Sequence, residues 1–411
     1  MTSAFEIPPK KQDASLHEGF DDAERSGSER NWIEQISLHQ FRNYSSLKLN
    51  LSPKPIVLVG SNGAGKTNLL EAVSLLSPGQ GLRRAVTADL AAFSGDGDFP
   101  NKGDWAVSAK VHGAMGEAQI GTGVTGAALS ENVRRKVRID GETLSSSTPL
   151  GQSIQILWLT PAMDGLFTGA ASERRRFLDR LMLVFNPETR KQWSQFERAM
   201  RQRNKLLETH ETSDYMFVGL EIQMAEYGVA LAASRLEAIE RLRGVIEDTR
   251  NDQTAFPFAT LALDGILEKA LEMKAAVDVE DEYRIILREN RMQDRAAKRT
   301  LEGPHRTDFV VGHGPKAMPA KLCSTGEQKA LLTGLILAHA RLVHDKAGGY
   351  APLLLLDEIA AHFDQERRHA LFEEILKLNC QAWMTGTDHS SFEFFGKNAQ
   401  ILTVDGAEIV A

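Results

Sequence analysis

Hydrophobic and polar positions follow three regimes along this chain, and each predicts a different kind of element. Near the start, Ile36 and Leu38, and then Leu47, Leu49 and Leu51, alternate with polar residues on either side of His39-Gln40-Phe41-Arg42-Asn43-Tyr44, which predicts a β-hairpin. The run Pro55-Ile56-Val57-Leu58-Val59 is short, apolar and β-branched, the pattern of a parallel strand buried on both faces. Over 68–76 the spacing turns helical through Leu69, Val73 and Leu76, and Ser77-Pro78-Gly79 ends it. Trp105, Val107, Ala109 and Val111 alternate again, and Asp140-Gly141 supplies a tight hairpin turn.

From 172 to about 300 the period is helical. Val218, Ile222, Ala225, Val229, Ala232, Leu236 and Ile239 recur in alternating steps of four and three, interrupted only by Arg243 before Ile246. This predicts a coiled-coil-like seam on a helix of about 30 residues, on the order of 50 Å long, packed within a helical hairpin. After Lys321 the α/β pattern returns: a helix through Leu331, Leu335, Ala338 and Leu342, a strand of four leucines, a helix over 365–378, a strand over 381–385, and a closing hairpin at Asp405-Gly406. The domains expected are therefore an α/β lobe built from 31–171 and 301–411, interrupted by a mostly helical lobe over 172–300. Residues 1–30, with Pro8-Pro9-Lys10-Lys11 and a stretch rich in Ser, Asp and Glu, read as a disordered tail.

Chemistry enters where the first parallel strand ends. Gly60-Ser61-Asn62-Gly63-Ala64-Gly65-Lys66-Thr67 has the spacing of a phosphate loop, and it lies between a strand and a helix, the context the motif requires. Glycines let backbone N–H groups curl around phosphate oxygens, and the new helix points its positive end at the same anion. In such a loop Lys66 reaches the β- and γ-phosphates and the Thr67 hydroxyl binds Mg²⁺; Asn68 completes the nucleotide-binding stretch. The bland alternative is a glycine turn before a helix.

The other half of the site lies nearly three hundred residues later. Leu353-Leu354-Leu355-Leu356 ends in Asp357-Glu358, and a core strand ends in adjacent carboxylates only where they face water or a cation. Asp357 is the candidate Mg²⁺ ligand. Lys66 and Glu358 are the candidate catalytic residues, Glu358 polarising the attacking water. Upstream, Ser324-Thr325-Gly326-Glu327-Gln328 opens a helix. Ser324 and Glu327 alone make a capping box, but a capped helix start is also an anion site. The string resembles the signature of ABC-type ATPases, in which this helix start meets the γ-phosphate held by a second subunit.

Bulk properties narrow the class. Apolar content of 42% and charged content of 25% are ordinary for a soluble protein. No continuous apolar run approaches the ~18 residues of a membrane span, and the N-terminus lacks the apolar region of a secretory signal. Cys323 and Cys380 lack metal-ligand spacing, so a reduced, cytoplasmic protein is expected. A net charge of −7 excludes nucleic-acid binding through the overall field. Local patches remain as candidates: Arg83-Arg84, Arg134-Arg135-Lys136 with Arg138, Arg174-Arg175-Arg176, and Arg288 with Arg291, Arg295, Lys298 and Arg299. No particular DNA-contacting residue follows from these patches.

In this order the pieces resemble the RecF family of bacterial recombination and repair ATPases, relatives of the SMC-type heads, over roughly 33–405. The resemblance rests on Phe41-Arg42-Asn43-Tyr44, on the block 60–72, and on the segment from Pro161 through Ser172-Glu173-Arg174-Arg175-Arg176-Phe177-Leu178-Asp179. It rests also on Gln202-Arg203-Asn204, Gly303-Pro304-His305-Arg306-Thr307-Asp308 and 324–329. Departures are Ala162 in place of an acid, Ala171 in place of proline, and Phe363 in place of leucine. The transporter switch histidine is absent from Thr385-Gly386-Thr387-Asp388, with His389 one position late.

The resemblance implies an α/β ABC/SMC-type P-loop ATPase head, a mixed sheet with an antiparallel subdomain, interrupted by a mostly helical second lobe. It implies an ATP-dependent homodimer in which the loop of one subunit meets Ser324 and Gly326 of the other. It further implies Mg²⁺, weak DNA-stimulated hydrolysis of ATP, binding to double-stranded and gapped DNA, and loading of RecA through RecO and RecR. Two rivals stay open: the ATPase subunit of a membrane transporter, and a nucleotide-bound scaffold with vestigial hydrolysis.

Overall fold

The computed structural model describes residues 30–92, 103–125, 135–183, 186, 188–209, 214–250, 255–359 and 363–410. Apart from Arg30, the tail expected over 1–30 lies outside the described residues, as do Arg134, Ala361 and His362. The chain divides into two compact units.

One unit gathers 30–164, 255–256 and 332–410 and holds two six-stranded sheets. The first is antiparallel, in the order Tyr44–Asn50, Trp32–Phe41, Trp105–Gly113, Gly116–Val124, Lys136–Ile139, Glu142–Leu144. The hairpins expected around 39–44 and at Asp140-Gly141 are both present, the first turning at Arg42-Asn43; Asp140 and Gly141 have φ of 49° and 85°, as a two-residue turn matched to strand twist requires. The second sheet runs Glu408–Val410, Gln400–Asp405, Ile56–Val59, Ala382–Gly386, Leu353–Leu356, Ile156–Leu159, parallel except for its first strand.

Successive side chains on a strand point to opposite faces, so a run of four leucines stays dry only if both faces are covered. Leu353 and Leu355, with Ile56, Leu58 and Trp383, share a core with Ile36, Leu38, Val107 and Val111 of the antiparallel sheet and Leu69, Leu70 and Val73 of the helix Lys66–Ser74. Leu354, Leu356, Val57 and Met384 are as deeply buried on the other face. The helix after the phosphate loop is thereby clamped inside the core. The fully buried Gln381 ties the sheets together: its carboxamide accepts from the Ile33 N–H (3.0 Å) and donates to the carbonyls of Ile33 (3.1 Å) and Ser52 (2.7 Å). It serves as the strand partner that Ile33 lacks beyond the end of Tyr44–Asn50.

The other unit, Gly165–Asp252 with Pro257–Leu331, is built on the helix Asp214–Asp248, which packs against Thr189–Glu208 and Ala276–Glu289. It also contains a small antiparallel sheet, Ala259–Asp264, Asp308–His313 and Met318–Pro319, with Asp308–His313 in the middle. The expected seam holds at Ala225, Val229, Ala232, Ile239 and Ile246 but fails at its start, where Val218 and Ile222 are 39% and 42% exposed. The face buried there is Phe217, Glu221, Met224 and Gly228. A hydrophobic repeat misses this turn of the stripe because its inward position Glu221 is charged and paired.

Arg203, wholly buried, donates to Glu221 (3.1 Å), Asp294 (2.7 Å), Thr300 (3.0 Å) and the Leu287 carbonyl (2.6 Å). Arg235, equally buried, forks onto Asp179 (3.0 and 3.2 Å) and donates to the Pro304 carbonyl (2.6 Å). By length and composition Asp214–Asp248 would cross a membrane, with a window of mean hydropathy 1.2, but 44% of that window is buried within the protein. Its burial against two helices and its internal ion pairs are those of a core helix.

Candidate nucleotide-triphosphate site

The phosphate loop leaves the strand Ile56–Val59 and enters the helix Lys66–Ser74 through Gly65, whose φ of 116° is left-handed. A Cβ there would lie 2.6 Å from Asn43 Nδ2 and 2.8 Å from the Tyr44 hydroxyl, so glycine is required twice over. Lys66 is almost wholly buried, and its ammonium donates to the loop's own carbonyls at Gly60 (2.6 Å) and Ser61 (2.8 Å). Burial lowers its pKa, an effect opposed by the charges of Glu358 and Asp357.

The hairpin turn Phe41-Arg42-Asn43-Tyr44 props this loop from behind. The buried Tyr44 hydroxyl donates to the Gly65 carbonyl (3.1 Å), and burial raises its pKa, so it stays a donor. Asn43 donates to the Ala64 carbonyl (3.5 Å) and accepts from Asn68 (2.7 Å). Arg42 forks onto Glu71 of the helix, with two bonds of 2.9 Å, while Arg83 reaches the same carboxylate at 3.3 Å. Glu71 itself is wholly buried. Phe41 anchors the turn edge-on against Trp105. From the other side, the Ala407 N–H of the last hairpin donates to the Ala64 carbonyl (3.0 Å). The alternation pattern revealed a turn here, but not that the turn reaches the loop.

The acidic strand end is brought to the loop. Thr67 Oγ1 donates to Asp357 Oδ1 at 3.0 Å, joining residues 290 positions apart. Thr385, fully buried at the end of the neighbouring strand, donates to the same oxygen (2.9 Å) and accepts from the Glu358 N–H (2.7 Å). Glu358 is exposed and has φ of 52°, a left-handed conformation uncommon for a side chain of its kind. A hydroxyl and a carboxylate oxygen converging beside a phosphate loop are hard donors that suit Mg²⁺, and Thr67 and Asp357 are the residues that would hold it.

The signature belongs to the other unit. Glu327 accepts from both the Ser324 N–H and its hydroxyl (3.0 Å each), while Ser324 Oγ caps the Glu327 N–H at 3.4 Å. Lys316 pairs with Glu327 as well, and these partners, Lys316 first, hold the Glu327 carboxyl down at about 2. Buried Gln328 donates to the Cys323 carbonyl (2.8 Å). Ser324, Thr325 and Gly326 are exposed. At Gly326 a Cβ would meet nothing within 4 Å among the described residues.

The basic candidates are partly spent inside the fold. Arg174 forks onto Asp308 (2.8 Å twice), Arg175 donates to the Thr307 carbonyl (2.8 Å), and Arg135 donates to the carbonyls of Leu75 and Ser77 (2.6 and 3.0 Å). Arg291 forks onto Glu221 (2.9 and 2.6 Å). Arg138, Arg288, Lys298 and Arg299 are exposed.

The family model described as RecF/RecN/SMC N terminal domain matches residues 32–409. A DNA replication and repair protein RecF from Mesorhizobium japonicum is 51% identical over 373 residues, covering 91% of this chain and 96% of that protein. The chain belongs to the RecF family. A second RecF, from Rhizobium leguminosarum bv. trifolii, is 50% identical over 92% of this chain and 98% of its own length. Among solved structures, the recombination mediator protein RecF-ATP in the RecFOR pathway matches with a TM-score of 0.79 at 20% identity, covering 95% of this chain and 100% of that one. The Smc head domain from Pyrococcus furiosus, bound to the C-terminal domain of ScpA, matches with 0.51 at 15% identity over 92% and 96%. These structural likenesses speak to the fold, which is that of a RecF and SMC-type head. Of the blocks that carry the resemblance, 161–179 meets 303–308 through the half-buried pair Arg174–Asp308, while Arg203 and Asp179 pair with Glu221 and Arg235 of the long helix.

Proposed function

We propose that this chain is an ATP-gated DNA-binding protein of recombinational repair and replication restart, acting in the cytoplasm. The observation that carries the reading is the 3.0 Å contact between Thr67 and Asp357, which joins two distant segments beside the glycine-rich loop. ATP binds along Gly60–Asn68 with Lys66 on its terminal phosphates. Mg²⁺, when held by Thr67 and Asp357, neutralises charge on those phosphates. Glu358, exposed beside them, orients and deprotonates the attacking water.

The signature acts on the nucleotide of a second copy. Glycine in a helix costs ~0.5–1 kcal/mol relative to alanine, and no described neighbour requires it at Gly326; an approaching phosphate does. ATP therefore holds a homodimer together, and hydrolysis releases it. By family resemblance the partners are RecR and RecO, and the outcome is RecA loading on gapped DNA.

For the DNA surface, the solvent-facing side of the antiparallel sheet is the best candidate. Three successive cross-strand rows there (Ser46, His39, Ala106, Gly123, Lys136; then Lys48, Ser37, Ser108, Gly121, Arg138; then Asn50, Gln35, Lys110, Gln119) contain four cations, although Lys110 pairs with Glu34 and Glu117 just beyond them and the third row ends on Asp140, whose carboxylate accepts from the Gln119 N–H. In a chain of net charge −7 this is a local reversal of sign. Lys48 and Arg138 lie four strand spacings apart, about 19 Å. The small residues between them let a phosphate backbone lie close to the sheet.

The test is sedimentation of the purified chain with a non-hydrolysable ATP analogue, with and without gapped DNA. Dimers are expected for the wild-type chain and none for Lys66→Ala. A wild-type chain that stays monomeric at saturating analogue overturns the reading. Glu358→Gln should prolong the dimer; unchanged turnover and lifetime favour the scaffold alternative instead.

A further inference from the structure

We infer that Thr385 is a positioning residue for ATP hydrolysis, fixing both carboxylates of the acidic strand end through one hydroxyl. The inference rests on the role proposed for Glu358. It arises from a chain of contacts: the Thr67 hydroxyl donates to Asp357 Oδ1, the Thr385 hydroxyl donates to the same oxygen, and Thr385 Oγ1 accepts the Glu358 N–H. The bonds are 3.0, 2.9 and 2.7 Å long. A hydroxyl offers one proton and two lone pairs, and here the proton and one lone pair are both engaged.

The geometry explains two otherwise separate facts. Glu358 stands at φ 52°, where a residue with a Cβ is strained and persists only if its surroundings hold it. The bond from its N–H to Thr385 is such a hold, and it sets the direction in which the exposed Glu358 side chain leaves the strand. Asp357, largely buried, receives both hydroxyls on Oδ1, which fixes its carboxylate plane relative to the phosphate loop. Thr385 is wholly buried at the end of Ala382–Gly386, between the strand bearing the acids and the strand feeding the loop, so its hydroxyl cannot rotate out to water. The Gly386 carbonyl beside it accepts the Gly60 N–H (3.3 Å), so Thr385 is seated on both halves of the site. In the sequence this residue belongs to the segment where transporters place a histidine; the structure gives the segment a role without one.

The experiment compares steady-state ATP hydrolysis with Mg²⁺, and separately the Kd for a non-hydrolysable ATP analogue, for the full-length chain and its Thr385→Val, Thr385→Ser and Thr385→Ala variants. Losing a group that only orients reacting partners lowers kcat and spares binding. Thr385→Val and Thr385→Ala should lose about tenfold in kcat, the effect of one positioning hydrogen bond, with Kd within about twofold. Thr385→Ser, which keeps the hydroxyl and loses only the methyl, should stay within about twofold of wild type in both. Full kcat in Thr385→Val overturns the inference. So does a Ser variant as slow as the Ala variant, or a loss confined to Kd. Should Val unfold the chain, the Ser and Ala pair still decides, because their packing loss is similar and only the hydroxyl differs. Glu358→Gln is measured alongside: if it turns over normally, the assignment of Glu358 fails, whereas a dead Glu358→Gln beside a fully active Thr385→Val sinks the Thr385 inference alone.

Discussion

Truncating Arg42 to alanine isolates the support behind the phosphate loop. Arg42 places two 2.9 Å bonds on Glu71 and one of 2.8 Å on the Asp89 carbonyl, and Glu71 has no exposed surface. Breaking a buried ion pair from one side leaves a charge without compensation and costs about 3–5 kcal/mol. Arg83 remains 3.3 Å from Glu71 with a side chain 41% exposed, so the lower end applies, about 3 kcal/mol. Against a total stability of about 5–15 kcal/mol this is a large fraction. Urea unfolding followed by tryptophan fluorescence reads it directly, because Trp32, Trp105, Trp158 and Trp383 all lie in the unit that carries the loop. With a slope of about 2–3 kcal/mol/M, the midpoint should fall by about 1–1.5 M. The double variant Arg42→Ala/Glu71→Gln removes the stranded charge and should recover at least about 1 kcal/mol. Since Glu71 lies on the helix that begins with Lys66 and Thr67, the ATP-induced rise in midpoint should also shrink in Arg42→Ala. A midpoint within about 0.3 M of wild type, or a double variant less stable than the single one, would refute the reasoning.

Three further outcomes follow from the same structure. Ser324→Arg should leave ATP binding unchanged and abolish analogue-induced dimers in sedimentation, since the residue is exposed and, in the function proposed above, meets a neighbour's nucleotide; loss of binding itself counts against the assignment. Lys48→Ser combined with Arg138→Ser should weaken duplex binding and reduce the slope of log K against log salt by about two, one unit per phosphate contact, with ATP affinity intact; an unchanged slope moves the DNA surface elsewhere. The cap of the signature helix should respond to acid: the folded pKa of Glu327 is depressed to about 2 from an ordinary 4.5, so its contribution is complete above about 4.5 and is lost as pH falls toward 2. Glu327→Gln should remove that component from an acid titration of stability, and an identical profile in the variant contradicts it.

The sequence disclosed most of the ATPase half. Most of its parallel strands are short and apolar, much of its antiparallel sheet alternates, and Asp140-Gly141 marks its turn with residues that tolerate positive φ; the last turn falls one residue later than Asp405-Gly406, at Gly406-Ala407. The phosphate loop and the acidic strand end were legible because glycine spacing and terminal carboxylates are local signals. Their meeting was not, since a contact such as Thr67 to Asp357 depends on strand order and not on spacing. Thr385 was invisible for the same reason: a buried threonine at a strand end looks like any β-branched core residue. In the helical unit the hydrophobic repeat predicted the long helix but misplaced its first turns. Periodicity counts charged residues as solvent-facing, and in those turns Glu221 faces inward, paired with Arg203 of the neighbouring helix.

The order of strands around the phosphate loop has a bearing on synthesis. Ile56–Val59 is flanked by Ala382–Gly386 and Gln400–Asp405, so both of its neighbours emerge more than 320 residues after it, and the hairpin that braces Ala64 emerges later still. At ~5–20 residues per second, the ribosome needs roughly 15–65 s to make that intervening stretch. Throughout that interval the loop has the turn at Asn43 and Tyr44 behind it but neither of the strands that flank Ile56–Val59. A product cut short before 382 therefore lacks both strands that seat the loop, together with Thr385 and its bond to Asp357.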